Sequence, residues 1–405
     1  MSDRRHFISA LLTNGFSEVV QKVSRIAVVV AVARVMDAEA IGLAAAAIAA
    51  GDIMKSFTET GVVQRIIAAH DDDLADVTTT ARRLFTRWCI GLFLTQSLLA
   101  TAIWWMTGGT LVPVMIALLG LEYLVMPAGI VQCALAMRAG KLTGTAAVAG
   151  GQIVLANVLT ALLAVVFPSP LALIIPRVVT APVWLVGMRR LHPDVPAKSA
   201  TPTPVRHFTG FGACLLGNEI VRTLRLQGDK LVIGATLGPE ALGVYFFAFN
   251  AGLSLATSAS VAFARVVFPR ITAAQNRAQA AGEAIWLAML MATPLIVLQA
   301  LAAPYYIPFL LGEDWAYIAP VVSILCLAAI PGMLWSGTAQ WLRAEDRAFT
   351  ELLVTGVLTV LLLASTAILS PYGLETIAWG YLAITCIVQI TASLPLFITL
   401  RWKEA

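Results

Sequence analysis

Charge is what this sequence has least of. Of its 405 residues only 12% are Asp, Glu, Lys or Arg, while 59% are apolar. A soluble domain carries about 25% charged and about 45–50% apolar residues, so this composition exceeds what a buried core needs and fits a chain solvated by lipid. No stretch is polar enough for a soluble domain. No G-x-x-x-x-G-K-[ST] run occurs, which excludes a fused P-loop ATPase. The five cysteines (Cys89, Cys133, Cys214, Cys326 and Cys386) stand isolated in apolar segments without a C-x-x-C pair, so they read as small buried hydrophobes, neither a zinc site nor a disulfide framework. The four histidines (His6, His70, His192 and His207) fall in loops or at helix ends. No metal-ligand cluster or Ser/His/Asp arrangement is visible, and the loops predicted on the outer side are too short for a catalytic surface, so an enzyme is not expected. No basic run of nucleic-acid type is present. The N-terminal apolar stretch is interrupted by Asn14, Glu18, Lys22 and Arg25 and reads as retained, not as a cleaved signal.

What the chain has is long apolar runs. About 20 mostly apolar residues cross the hydrocarbon as a helix. Spans are predicted near 7–35, 40–62, 84–106, 111–135, 146–166, 169–188, 208–236, 241–268, 281–303, 317–340, 350–369 and 375–399. They are too long and too uniformly apolar for barrel strands, so backbone satisfaction in lipid requires helices. The predicted fold class is all-α, a polytopic membrane protein of about twelve transmembrane helices. Lys and Arg gather in every second connection: Arg65, Arg82, Arg83 and Arg87; Arg138 and Lys141; Arg189, Arg190, Lys198 and Arg206; Arg270 and Arg277; Arg343 and Arg347. The termini add Arg4, Arg5, Arg401 and Lys403, so both termini are expected in the cytoplasm. The longest cytoplasmic connection, 191–207, is rich in Pro, Thr and Ala and reads as a linker joining an N-terminal six-helix lobe (1–190) to a C-terminal one (208–405).

The two lobes read as a repeat. With the sequence displaced by 201 residues, Arg5-His6-Phe7 falls on Arg206-His207-Phe208, Glu18 on Glu219, and Glu39-Ala40-x-Gly42 on Glu240-Ala241-x-Gly243. Ala47, Ala50 and Gly51 fall on Ala248, Ala251 and Gly252. Parallel repeats of this kind occur in secondary transporters, with the substrate near the bilayer midplane.

Ionisable residues inside spans are costly and are functional candidates by default. Lys22 and Arg25 in the first span and Arg222 and Arg225 in the seventh are i, i+3 pairs near mid-depth, equivalent to within one residue of the repeat. They carry more positive charge than nearby acids should neutralise, which predicts a wet cationic cavity for an anion, and Arg suits bidentate phosphate contact. Asp52, Lys55 and Glu59 are predicted on one face of the second span. Lys55 is a further substrate candidate, unless it pairs structurally with Asp52 or Glu59. Glu122 in the fourth span and Arg177 in the sixth stand alone in sequence. Asp229, Asp52, Glu59 and Glu122 are the candidates for proton or sodium coupling; no cofactor is expected. Asp71-Asp72-Asp73 reads as a solvated loop, Asp37 and Pro239 as helix starts, and Trp104, Trp105, Tyr305, Tyr306, Trp315 and Trp402 as interfacial anchors.

The segments Ala33-Arg34-Val35-Met36-Asp37-Ala38-Glu39-Ala40-Ile41-Gly42-Leu43 and Gly228-Asp229-Lys230-Leu231-Val232-Ile233-Gly234-Ala235-Thr236-Leu237-Gly238-Pro239-Glu240-Ala241-Leu242-Gly243-Val244-Tyr245, with Phe57-x-Glu59-x-Gly61 and Val267-Phe268-Pro269-Arg270, resemble the polysaccharide transporter family. These are the O-antigen and exopolysaccharide flippases of the MATE-like (MOP) superfamily. The resemblance implies two six-helix bundles with alternating access around a cationic central cavity. It also implies flipping of an undecaprenyl-diphosphate-linked oligosaccharide across the inner membrane for polysaccharide biosynthesis. The implied partners are that lipid-linked oligosaccharide, membrane lipids, and a polysaccharide polymerase with its export machinery. This chain is shorter and more Ala-rich than such proteins usually are. The rival readings are a multidrug or small-solute exporter of the same fold, whose cavity should be acidic or neutral for cationic drugs, and a non-transporting membrane assembly factor, whose intramembrane charges should all be paired.

Overall fold

The computed structural model describes residues 21, 23–193 and 206–404. Lys22, Glu18, the Arg5-His6-Phe7 motif and most of the 191–207 linker lie outside them. All regular structure among the described residues is helical. In chain order the helices are α1 (23–35), α2 (Ala38–Ser56), α3 (Val62–Ile67), α4 (Leu74–Thr107), α5 (Leu111–Gly120), α6 (Glu122–Val125), α7 (Pro127–Arg138), α8 (Leu142–Val166), α9 (Ile175–Leu191), α10 (Arg206–Leu237), α11 (Pro239–Ala273), α12 (Arg277–Leu311), α13 (Ala319–Leu327), α14 (Ala329–Ala344), α15 (Ala348–Leu369) and α16 (Leu374–Glu404). Short 3-10 turns precede α9, α13 and α16.

Seven helical segments among the described residues are long and apolar enough to cross a membrane, or eight if α5–α6 and α7, bent by 50°, form one span. The lipid-facing surfaces of α4, α8, α12 and α15 carry exposed Leu98, Trp105, Leu162, Val166, Leu290, Leu301, Val360 and Ile368. Such a surface is stable only against hydrocarbon. The chain is a multi-pass membrane protein. Helix α2 is not among the seven, since its nineteen residues hold Glu39, Asp52 and Lys55.

The helices begin and end where local chemistry dictates. Asp37 caps α2, its carboxylate accepting from Ala40 N at 2.8 Å. Pro239 opens α11 directly after Gly238 at φ 88°, where a side chain would be strained. Several helices overrun their apolar windows. α4 starts at Leu74, ten residues before the predicted 84, because Val77, Ala81 and Phe85 pack on Val62, Ile66 and Ala134. The second span is shorter than predicted: α2 stops at Ser56, and the chain turns through Gly61 at φ 74° into α3. Glu59 is therefore a loop residue and does not share a helix face with Asp52 and Lys55.

By compactness the chain divides into Met1–Thr223 and Leu224–Ala405. In the N-terminal unit α2 crosses α5 at Gly51, where an added Cβ would lie 2.7 Å from Leu119 Cδ1. The fourth span then breaks at Leu121, and Gln96 holds the break. Its Nε2 donates to Ile116 O at 2.6 Å and its Oε1 accepts from Tyr123 Oη at 2.8 Å, with Gln96 and Tyr123 both buried. This satisfies backbone and phenol groups that lipid could not. In the C-terminal unit α11 crosses α13 at Gly252, whose added Cβ would meet Val322 O at 3.1 Å and Cys326 N at 3.3 Å. That span breaks at Ala328.

Four cysteines among the described residues are free; Cys89 and Cys326 are buried, whereas Cys133 and Cys386 are half-buried. Trp104, Trp105 and Tyr305 are exposed as interfacial anchors should be. Trp315 is not: it is buried, edge-on to Phe247 at 4.9 Å.

Candidate functional site

Each unit holds its own cluster of ionisable side chains carried on its helices. In the N-terminal unit four helices contribute. Lys55 of α2 bonds Glu122 of α6, and Arg177 near the start of α9 donates through Nη2 to Asp52 Oδ1 at 2.9 Å. The positions follow from local structure: Asp52 and Lys55 are one turn apart on α2, Glu122 stands at the break in the fourth span, and Arg177 follows the turn at Pro170–Leu173. Arg25, on α1, is within electrostatic reach of Asp52 and Arg177. Arg25 is exposed, and among the described residues no carboxylate lies within ion-pair distance of it.

A second group in this unit joins Glu219, Arg222 and Glu59. Arg222 donates through Nε and Nη2 to the two carboxylate oxygens of Glu219, at 2.9 and 2.6 Å. Glu59 lies within electrostatic reach of both. It also lines a cavity of about 40 Å³ with Thr58, Gly61, Phe85 and Met126, room for one water.

In the C-terminal unit the charges sit on α10. Asp229 is 1% exposed and accepts from Tyr245 Oη and from the Lys230 backbone N–H, each at 2.8 Å. The Lys230 ammonium lies 3.3 Å from Asp229 Oδ1, bonds the Leu226 carbonyl, and stands 3.8 Å from the centroid of the Phe249 ring. Tyr381 meets Phe249 edge-on at 6.2 Å. Cation–π contact and full hydrogen bonding are what a desolvated ion pair requires. One turn earlier on α10, the Nε of Arg225 is buried and has no hydrogen-bond partner.

The structure corrects several sequence expectations. Glu122 and Arg177, each alone in its own span, are the partners of Lys55 and Asp52 on α2. Lys55 pairs with neither Asp52 nor Glu59. The expected excess of positive charge is reduced at Arg222, which Glu219 holds bidentately, and at Lys55, which Glu122 holds. Hydropathy could not reveal these pairs because they join helices far apart in sequence. Lys22 lies outside the described residues. Lys230, Tyr245, Phe249 and Tyr381 were missed as a group. The adjacency of Asp229 and Lys230 in an apolar run was the available signal.

A family profile described as "Polysaccharide biosynthesis protein" matches residues 31–320. The chain belongs to the polysaccharide biosynthesis protein family. Within that family's reach, it is 25% identical over 209 residues to the teichuronic acid biosynthesis protein TuaB of Bacillus subtilis, covering 50% of this chain and 43% of that one. It is 23% identical over 141 residues to the lipopolysaccharide biosynthesis protein WzxC of Escherichia coli, covering 34% and 29%. These matches span less than half the length of either curated relative. Among solved structures, the lipid II flippase MurJ in an inward closed conformation superposes with TM-score 0.77 at 12% identity, covering 97% of this chain and 87% of that one. An inward-facing MATE-family multidrug resistance transporter of the MOP superfamily superposes at 0.70 with 14% identity, covering 95% of each chain. The fold is that of the MATE-like MOP transporters.

Proposed function

We infer that this family member is a secondary flippase. It moves a lipid-linked oligosaccharide, with undecaprenyl diphosphate as carrier, across the inner membrane for polysaccharide assembly. The observation that carries the reading is one intramembrane guanidinium in each unit without a carboxylate partner among the described residues: Arg25 in one, Arg225 in the other. A cation left unpaired at membrane depth is expensive and is what a diphosphate would neutralise, with bidentate geometry that Arg supplies. Lys55, Arg222 and Lys22 are the supporting cations. Lys55 and Arg222 would exchange their carboxylates for substrate oxygens, since both are more than a third exposed and so retain access.

Transport proceeds by alternating access of two six-helix lobes, 1–190 and 208–405, joined by the 191–207 linker, with both termini in the cytoplasm. Coupling to H+ or Na+ falls to Asp52, Glu59, Glu122 and Asp229. Glu122 is favoured because its cation, Lys55, can leave for the substrate and free a carboxylate for the coupling ion. Asp229 is the weakest, its charge being met by Lys230 and Tyr245. A polymerase and export machinery would consume the product. The protein acts as a transporter, not an enzyme.

Arg25→Gln with Arg225→Gln, assayed for polymer export in a strain lacking the wild-type gene, tests this. Export should fall by at least about tenfold, the loss of a charge-assisted hydrogen bond in each unit, at normal membrane abundance. Unchanged export at normal abundance removes the cationic site and the flippase reading with it.

A further inference from the structure

At the Arg-rich end of the C-terminal unit, a cavity of about 290 Å³ is lined by Gln275, Arg277, Ala278, Trp341, Glu345 and Thr399. Its walls come from the start of α12, the end of α14 and the last turns of α16. The donors outnumber the acceptors. Arg277 gives one N–H to the Ala344 carbonyl at 2.7 Å and reaches Glu345 only at 4.0 Å, so most of its fork is uncommitted. The indole of Trp341 is 5% exposed, and its Nε1–H is buried and bonded to nothing. Ala278 stands in the first turn of α12, a helix of 35 residues, where backbone N–H groups lack intrahelical partners. Neighbouring cations are already occupied: Arg270 pairs with Glu283, and Arg343 is chelated by Glu351 at 2.6 Å through both nitrogens.

One cavity is lined by a guanidinium, by the start of a helix and by a tryptophan whose indole N–H is unmet, and this lining calls for an acceptor-rich anion. Depth selects its source. At 1.5 Å per residue α12 is about 52 Å long, well beyond the roughly 30 Å hydrocarbon, so its first turn lies at headgroup level. The geometry points to a binding site for the phosphate of an anionic phospholipid headgroup, held by Arg277, Trp341 and the first turn of α12. This site is separate from the transport residues and does not depend on the flippase reading. Glu345 opposes the anion and sets its affinity, since its carboxylate competes for Arg277.

The test is native mass spectrometry of the purified full chain titrated with phosphatidylglycerol, repeated in inorganic phosphate. Arg277→Gln should weaken lipid binding about tenfold, as loss of a charge-assisted bond does. Trp341→Phe, which keeps the ring and removes the N–H, should weaken it about threefold. Glu345→Gln should strengthen it. Wild-type affinity in all three variants overturns the site. Displacement of the lipid by millimolar inorganic phosphate overturns the lipid assignment in favour of a soluble phosphate compound. If Arg277→Gln fails to fold, the other two variants decide, because Trp341→Phe keeps the ring and Glu345→Gln gives up only a 4.0 Å contact to Arg277.

Discussion

The two units share a plan and differ in how they spend their charge. In each, the second helix of the repeat crosses the first half of the fourth span at a glycine, Gly51 or Gly252, and that span then breaks. The N-terminal break carries Glu122, and its unit ties separate helices together with Lys55–Glu122 and Arg177–Asp52. The C-terminal break falls at Ala328, and there the ion pair is between sequence neighbours, Asp229 and Lys230, sealed by Tyr245 and Phe249. A bridge between partly exposed helices can exchange partners when helices move. A pair on one helix, buried and fully bonded, cannot. The same architecture therefore yields one unit suited to ion exchange and one suited to rigid support.

The largest effect that would sharpen this contrast is expected at Asp229. Asp229→Ala strands a buried ammonium and should cost about 3–5 kcal/mol, read as a large drop in thermal midpoint in detergent. A midpoint near wild type would mean that the C-terminal pair is not structural. Next is Gln96→Leu, which leaves the buried Tyr123 hydroxyl unmet and removes the side-chain bond to the Ile116 carbonyl, at about 1–3 kcal/mol. Stability unchanged by this substitution would show that the span break does not need its clamp.

The glycine pair should then separate the units directly. Gly252→Ala drives a methyl against the backbone of α13 and should cost about 1–3 kcal/mol. Gly51→Ala meets only the end of Leu119, which can swing aside, and should cost less than about 1 kcal/mol. Equal losses would erase the distinction. Smallest in stability is Glu122→Gln, at about 1 kcal/mol or less because Lys55 is 42% exposed. Its consequence is functional: export should lose its dependence on the ion gradient while membrane abundance stays normal. Gradient-dependent export in Glu122→Gln would move coupling away from the N-terminal cluster.

Much of this was legible in the residues. The helical caps at Asp37 and Gly238-Pro239 read correctly because they depend on contacts within four residues. The Glu39/Glu240 and Gly51/Gly252 register, found by displacement alone, matches equivalent helix starts and crossings. The solvated Asp71-Asp72-Asp73 loop is exposed, with Asp71 held by Arg138. The predicted second span runs on to 62 across the polar stretch from Lys55 to Thr60, because Val62 and Val63 resume the apolar pattern beyond it and hydropathy does not register the left-handed turn at Gly61.

The sequence by itself determined that the chain is helical, crosses the membrane several times and carries ionisable groups within its apolar helices, since hydropathy, period and spacing are local quantities. Only the tertiary structure decided which of those groups meet. Ion pairing needs atoms within about 4 Å, and Lys55 with Glu122, or Arg177 with Asp52, reach that range only when helices separated by scores of residues are packed side by side.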